Sequence, residues 1–179
     1  PNMHVFVPCD AIEVKKAVRA AMQIDGPVYI RIFRPVRSVI TDEPTPFIPG
    51  KANIMREGTD VCLMATGIEV EESLIAAETL QKEGISIAVV NHHSIKPLDI
   101  GIIQNYHEKM PIISVEEHSI IGGLGSAIAE VIAGKPGESF ERIGINDTFG
   151  KSGKADDLIK YFGLDAESIV AKVKTVLSK

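Results

Sequence analysis

Two arginines near the end of an apolar segment are the residues best suited to bind a ligand. Arg31 and Arg34 lie in the run Gly26–Pro35, and Arg34 sits where a predicted strand ends. Ligands of open parallel sheets meet the carboxyl ends of the strands, and a planar guanidinium suits a phosphate or a carboxylate. The position therefore predicts an anion site at Arg34, with a surface arginine beside a linker as the alternative. Arg31 alternates to the face opposite Ile30 and Ile32, which favours a structural ion pair.

Two glycine-containing runs resemble phosphate-binding loops without matching them. The turn Gly122–Ser126 follows a predicted strand and opens a helix, as a dinucleotide or anion site does. However, Ile128 stands where the third small residue is expected, and no acidic residue follows at about 20 positions on a strand end. Close helix–strand packing is therefore the favoured interpretation. In the run Gly144–Ser152 five residues separate the two glycines, whereas a P-loop needs four, so a P-loop is excluded.

Three histidines suggest a metal site that their spacing does not support. His92 and His93 are adjacent, so on a strand they point to opposite faces. His118 follows Glu116 and Glu117, but no further His/Cys cluster supports metal ligation. The sequence also shows no nucleophile elbow. We therefore expect neither a metal site nor a complete catalytic set in this chain.

The elements that must position these residues alternate between strands and helices. Strands are predicted at 4–8, 28–33, 61–66, 85–91, 111–116 and 139–143, and helices from Asp10 to Gly26 and at about 67–83, 98–108, 122–133, 155–162 and 165–177. Capping boxes are predicted for Asp10 with Glu13 and for Thr66 with Glu69. Strands that alternate with helices need crossovers, so we expect an α/β fold with a mostly parallel sheet and helices on both faces.

Composition and charge exclude several classes of partner. The 179 residues carry 19 Lys and Arg against 24 Asp and Glu, a net charge of −5, without the basic clusters of nucleic-acid or anionic-membrane binders. The longest apolar runs are far shorter than the ~20 residues of a membrane span. Cys9 and Cys62 lie in apolar surroundings, as expected of buried free thiols in a reducing compartment. Without a signal-peptide pattern, a cytoplasmic location is expected.

The first 35 residues have the pattern of one βαβ unit, which is too small to enclose a core alone. We therefore expect upstream residues or another chain to complete its sheet. The chain opens at Pro1 rather than at an initiator Met, which suggests that residues are missing upstream. Pro44, Pro46 and Pro49 punctuate the next stretch, which is typical of an extended linker. The predicted division is therefore 1–35, a linker at 36–51 and a larger domain at 52–179.

Several runs of the sequence, in the same order, are similar to the C-terminal half of thiamine-diphosphate-dependent transketolases. These runs are Val7–Ala11, Gly26–Arg31, Ala65–Gly67, Ile95–Asp99, Val115–His118, Gly122–Ser126, Asp147–Gly153 and Tyr161–Leu164. The resemblance covers essentially the whole chain and extends to the separately encoded C-terminal subunit of split transketolases. It implies that residues 1–35 are the C-terminal remnant of a pyrimidine-binding domain and that residues 52–179 are the transketolase C-terminal domain.

The resemblance also implies a function for the complete enzyme, the transfer of a two-carbon ketol unit between ketose and aldose phosphates. Thiamine diphosphate and a divalent metal such as Mg²⁺ would be bound mainly by residues outside this chain, so the isolated chain is expected to be inactive. Arg34 falls where transketolases hold the substrate's phosphate, and Arg31 matches an arginine of deoxyxylulose-phosphate synthases, which makes both expected substrate-binding residues. The implied partner is an N-terminal transketolase section, in a homodimer or heterotetramer.

Other functions stay open. The chain resembles related thiamine enzymes as well, so it is alternatively the C-terminal part of a deoxyxylulose-phosphate synthase or of the β subunit of a 2-oxoacid dehydrogenase. A different class of function is a non-catalytic module that supports dimerisation or binds a regulatory ligand. A doubly wound nucleotide-binding protein is a further, weaker alternative.

Overall fold

A computed structural model describes residues 1–178. Its strands are β1 (His4–Phe6), β2 (Val28–Ile30), β3 (Asn53–Arg56), β4 (Val61–Ala65), β5 (Ile87–Asn91), β6 (Ser94–Lys96), β7 (Ile112–Ser119) and β8 (Phe140–Ile145). Its helices are α1 (Ala11–Ala21), α2 (Glu69–Gln81), α3 (Ile100–His107), α4 (Leu124–Ile132), α5 (Ala155–Tyr161) and α6 (Ala166–Leu177). The strands form a five-stranded sheet in the order β3-β5-β4-β7-β8 and a three-stranded sheet in the order β2-β1-β6.

The five-stranded sheet carries the core of the protein. Its strands β5, β4, β7 and β8 are parallel, and β3 is antiparallel to β5 at one edge. Every residue of β4 and β5 is buried, because helices cover both faces. Leu63 and Ile169 pack in the layer that contains α2 and α6, whereas Met64 and Ile128 pack in the layer that contains α3 and α4. This arrangement confirms the predicted α/β class with helices on both faces of a mostly parallel sheet.

The first helix begins as the sequence predicts. Asp10 is the N-cap of α1, and its Oδ1 accepts a hydrogen bond from the Glu13 backbone N at 2.8 Å. In a capping box the Glu13 carboxylate would accept a hydrogen bond from the backbone N of the N-cap, Asp10. Here Glu13 Oε2 accepts instead from the backbone N of the preceding residue, Cys9, at 2.7 Å. Both carboxylates are buried, so together they pair backbone donors that would otherwise lie unpaired at the helix start.

The capping box predicted for the second helix is wrong. The Thr66 hydroxyl donates to the carbonyl O of His92 at 2.8 Å, and Ile68 is the N-cap of α2 without a side-chain hydrogen bond. Thr66 is buried at the end of β4, where its hydroxyl must find a partner on the neighbouring strand. The chain then turns through Gly67, whose φ of 59° lies in the left-handed region, and this turn moves the helix start beyond the reach of Thr66.

One strand is clearly shorter than the sequence predicts, and two strands were not predicted. β2 ends at Ile30 rather than at residue 33, because its partner β1 has three residues and the pairing ends at Phe6. β3 and β6 are absent from the predicted elements, since both are short edge strands in segments with weak alternation. β6 pairs antiparallel with β1. The chain itself therefore supplies one neighbour of the N-terminal βαβ unit, which we expected only from upstream residues or from another chain.

The proline-containing segment 36–51 has no helix or strand but is attached to the rest of the protein. Asp10 Oδ2 accepts hydrogen bonds from the backbone N of Ile40 at 2.9 Å and of Thr41 at 2.6 Å. Phe47 stacks on His93, with 4.2 Å between the ring centroids. Segment 36–51 is therefore held against α1 and against the end of β5.

Two further sequence expectations concern the thiols and the membrane. Cys9 and Cys62 are buried free cysteines, as predicted, and burial raises the pKa of both thiols. Within residues 1–178 no helix has the length and apolar character that crossing a bilayer requires.

Candidate functional site

A pocket of about 430 Å³ lies beside the segment that follows β2. Its charged lining residues are Arg31, Arg34, Arg37, Lys151 and Glu117. The remaining wall is largely apolar and includes Phe33, Ile68, Ile145, Leu158, Phe162 and Leu164. Four cations and one carboxylate line the pocket, and Asp156 and Glu72 next to it pair with Arg37, so the excess of positive charge lies mainly with Arg34 and Lys151, in a chain whose net charge is −5. The pocket therefore attracts anions.

Arg34 differs from the other two arginines of this pocket. It is exposed, and within residues 1–178 it forms no hydrogen bond or ion pair. By contrast, Arg31 Nη2 donates to Glu117, and Arg37 Nη2 lies 2.9 Å from Asp156 Oδ1. Arg34 is thus the arginine whose guanidinium donors are free to bind a ligand.

Arg31 connects the end of β2 to the end of β7. Its Nη2 donates to the backbone O of Glu117 at 2.8 Å and to the Glu117 Oε2 at 3.0 Å. The ion pair predicted for Arg31 from its alternation is therefore confirmed, with a partner 86 residues away. The two side chains are 31% and 33% exposed, so the pair contributes modestly to stability.

The glycine turn before α4 binds a carboxylate of the chain itself. Glu116, which is 1% exposed, accepts hydrogen bonds from the backbone N of Leu124 at 2.7 Å and of Gly125 at 2.8 Å. A Cβ atom at Gly123 would lie 1.9 Å from Glu116 Oε2, so a residue with a side chain there would displace the carboxylate. The amides that bind phosphate in related turns are paired with Glu116.

Sequence reasoning missed this role of Glu116. The available signal was an acidic residue at the end of a strand, followed eight residues later by a glycine-rich helix start. Burial raises the pKa of the Glu116 carboxyl, although the two amide hydrogen bonds act in the opposite direction. A buried carboxylate held by backbone donors at a helix N-terminus is a structural anion, and it also satisfies the first turn of α4.

A second buried carboxyl lies close to the cationic pocket. Glu69, in the first turn of α2, is fully buried, and neither of its carboxyl oxygens has a hydrogen-bond partner. Burial raises its pKa well above the ordinary value, and the nearby Glu72 and Glu117 add to the effect. Burial thus favours the protonated form of Glu69, which is next in sequence to Ile68 of the pocket wall.

The histidines singled out in the sequence do not converge on one site. His92 and His93 are fully buried at the end of β5, and burial lowers the pKa of each to about 4, so both are neutral near pH 7. His118 is exposed, and its Nδ1 lies 2.9 Å from the carbonyl O of Ser119. Among residues 1–178 no group of three or more His, Cys, Asp or Glu side chains is placed to hold a metal ion.

Comparison with known families identifies the family of this chain. The family profile described as "Transketolase, C-terminal domain" matches residues 50–169. This chain belongs to the transketolase family. The resemblance seen in the sequence motifs is thereby confirmed, whereas the roles expected of Arg31 and Arg34 stay predictions.

Individual relatives of this transketolase-family chain agree with that assignment. A Methanocaldococcus jannaschii protein, named provisionally as a transketolase C-terminal section, is 45% identical over all of this chain and 57% of its own length. The 6-deoxy-6-sulfo-D-fructose transketolase subunit SqwH of a Clostridium species is 39% identical over all of this chain and 56% of its own length. A solved structure described as a split gene transketolase in an inactive β4 tetramer has a TM-score of 0.92 at 37% identity. It is matched over 99% of this chain and 58% of the other, so this chain spans just over half the length of these relatives.

The residues described here do not fit the coenzyme that the transketolase family implies. A diphosphate bridged by a divalent cation needs several oxygen ligands around the metal, and no such cluster occurs within residues 1–178. The glycine turn that offers amides to an anion holds Glu116 instead. Within residues 1–178 the anion-attracting pocket around Arg34 lacks the carboxylate cluster that a metal-bridged diphosphate needs.

Proposed function

We propose that this chain is the C-terminal part of a transketolase that transfers a two-carbon ketol unit between ketose and aldose phosphates. Its own task is to bind the substrate's phosphate and to provide a scaffold for the assembly. The observation that supports this proposal is the Arg34 guanidinium, which is exposed and unpaired in a pocket where Arg31 and Arg37 each contact a carboxylate. An unpaired guanidinium binds a phosphate through charge-assisted hydrogen bonds.

In this proposal the residues of the chain act by binding and orientation. Arg34 binds the phosphate end of the sugar, and Arg31 lines the same pocket and adds its positive charge. Fixing one end of the substrate places its carbonyl for reaction and removes part of the entropic barrier. We assign no residue of this chain to bond making or bond breaking.

The partner would be an N-terminal transketolase section that binds thiamine diphosphate and the divalent metal, in a homodimer or heterotetramer located in the cytoplasm. The split gene transketolase and the SqwH subunit, both similar to this chain over its whole length, support such a division into subunits. Residues 1–35 would be the remnant of a pyrimidine-binding domain, residues 36–51 a linker, and residues 52–179 the C-terminal domain.

The proposal is tested with Arg34→Ala in the enzyme reconstituted from this protein and its N-terminal section. Charge-assisted hydrogen bonds contribute roughly 1.5–3 kcal/mol, so KM for a phosphorylated acceptor should rise about 10- to 100-fold. KM for an unphosphorylated acceptor should change little. Arg19→Ala is the matched control, because Arg19 is exposed in the last turn of α1 and does not line the pocket. Equal losses for both acceptors would remove Arg34 from the phosphate site.

The alternative enzymes are separated by the choice of substrates. Xylulose 5-phosphate with ribose 5-phosphate tests ketol transfer, whereas pyruvate with glyceraldehyde 3-phosphate tests the deoxyxylulose-phosphate synthase reaction. The similarity to a 6-deoxy-6-sulfo-D-fructose transketolase subunit adds that sulfosugar to the donors that should be offered, because a sulfonate is also an anion that a guanidinium can bind. Turnover of pyruvate alone would contradict the transketolase proposal.

A further inference from the structure

The segment that carries Arg34 has few attachments of its own. After β2, the backbone N of Arg31 donates to the carbonyl O of Phe6 at 2.8 Å. Within the described chain, residues 32–36 form no hydrogen bond or ion pair. The next attachment is Arg37, which lies 2.9 Å from Asp156 and 3.9 Å from Glu72. Phe33, directly before Arg34, is partly buried against the core of the five-stranded sheet. The backbone at Arg34 is therefore held by Phe33 and by the polar contacts of the two flanking arginines.

The Arg31 end of this segment is held by Glu117 of the larger domain. Both contacts from Arg31 Nη2, to the backbone O at 2.8 Å and to Oε2 at 3.0 Å, go to this one residue. Both bonds leave the same nitrogen, so they hold the end of the Arg31 side chain at Glu117 through one donor group.

Glu117 is held mainly through its neighbour in the sequence. It lies in β7 beyond the pairing with β4, which ends at Val115, and within the register shift with β8 between Val115 and Ser119. The adjacent Glu116 binds the first turn of α4 through two backbone amides. Glu117 therefore occupies a position set through Glu116 by a helix, whereas Arg34 lies on a segment without regular structure.

We propose that Glu117 is a positioning residue for the phosphate site, holding Arg31 so that Arg34 points its guanidinium at the substrate. The larger domain would thus set the geometry of the substrate site and not act as a scaffold alone. This inference rests on the proposed function, since it assumes that Arg34 binds phosphate.

The direction in which KM changes in Glu117→Gln distinguishes a positioning role from a purely electrostatic role. Glu117 is a carboxylate in a pocket that attracts anions, so its charge alone weakens phosphate binding. If Glu117 acted by charge, Glu117→Gln would lower KM for a phosphorylated acceptor. If Glu117 positions Arg31, the same change raises this KM, because the side-chain contact loses its charge while the backbone O contact at 2.8 Å remains, and Arg34 is held less firmly. A partly exposed ion pair contributes up to about 1 kcal/mol. Its loss therefore corresponds to a rise of about two- to five-fold in KM for the phosphorylated acceptor.

The experiment is a double-mutant cycle in the reconstituted enzyme, with Arg31→Met, Glu117→Gln and the double variant. We expect each single variant to raise KM for the phosphorylated acceptor more than KM for the unphosphorylated one. In the Arg31→Met background, Glu117→Gln should add no further rise. Glu78→Gln is the matched control, because Glu78 is exposed on α2 and does not line the pocket.

Three results would contradict the inference. These are a lowered KM in Glu117→Gln, equal losses for both acceptors, and a full additional rise in KM in the double variant. If Arg34→Ala raises KM only for the phosphorylated acceptor while any of these three results is obtained, the positioning role is wrong and the proposed function stands. If Arg34→Ala is itself not selective, the proposed function fails and the positioning role fails with it. The free energy of unfolding of the four proteins shows separately whether Arg31 and Glu117 interact.

Discussion

Removing the carboxylate of Glu116 should destabilise the protein through the start of α4. In Glu116→Ala the backbone N–H groups of Leu124 and Gly125 lose their acceptors at 2.7 and 2.8 Å. Glu116 and both amide-bearing residues are buried, so water does not readily replace the lost acceptor. A hydrogen bond to a charged group is worth roughly 1.5–3 kcal/mol, and a buried unpaired donor costs roughly 1–3 kcal/mol.

The two bonds are not independent, because one desolvated carboxylate makes both, and its raised pKa shows that burying it is unfavourable. We therefore expect the free energy of unfolding to fall by about 2–4 kcal/mol rather than by the full sum. For a chain of this size the melting temperature would fall by about 5–15 °C. Glu116→Gln, which keeps one acceptor oxygen, should lose about half as much.

The assay is urea unfolding of the purified chain, followed by circular dichroism. Glu130→Ala is the control, because it removes an exposed carboxylate from the same helix. Sulfate should stabilise Glu116→Ala more than the parent protein, because the vacated amides at the helix start can then bind an added anion. A loss in Glu116→Ala no larger than that in Glu130→Ala would refute the assignment of Glu116 as the anion of the glycine turn.

Three further predictions concern buried groups elsewhere in the chain. The raised pKa of Glu69 means that the folded state holds its proton more tightly than the unfolded state, so stability should fall as pH rises above the ordinary value of 4.5. Glu69→Gln should remove this fall, and an unchanged slope of unfolding free energy between about pH 5 and pH 8 would contradict it. Glu13→Ala removes the acceptor of Cys9 N and Asn91 Nδ2 and should lower the free energy of unfolding in urea by about 2–3 kcal/mol. A decrease below about 0.5 kcal/mol would show that water replaces the carboxylate. Cys62, which is fully buried with a raised pKa, should react with a chromogenic disulfide reagent only as fast as the protein unfolds, and rapid reaction in native buffer would show that the core opens locally.

Patterns within short stretches of sequence predicted much of the fold. Alternating apolar strands and amphipathic helices predicted the α/β class, because burial on a sheet or helix face repeats at the period of that element. Asp10 three residues before Glu13 predicted the start of α1, since an N-cap hydrogen bond spans only three residues. The edge strands β3 and β6 lacked such a pattern, because short strands at a sheet edge bury few side chains.

Within the candidate site, the sequence by itself determined which residue types are present and that Arg31 would need an anionic partner. Only the tertiary structure decided that this partner is Glu117, that Glu116 fills the glycine turn, and that Arg34 stays unpaired. The Arg31–Glu117 pair joins residues 86 apart in the chain and depends on where β1 and β2 lie relative to β7. The Glu116 contacts span eight and nine residues and depend on how the turn before α4 folds back on β7. The type of each side chain can be read from the sequence, whereas its contact partner depends on how the two sheets pack together.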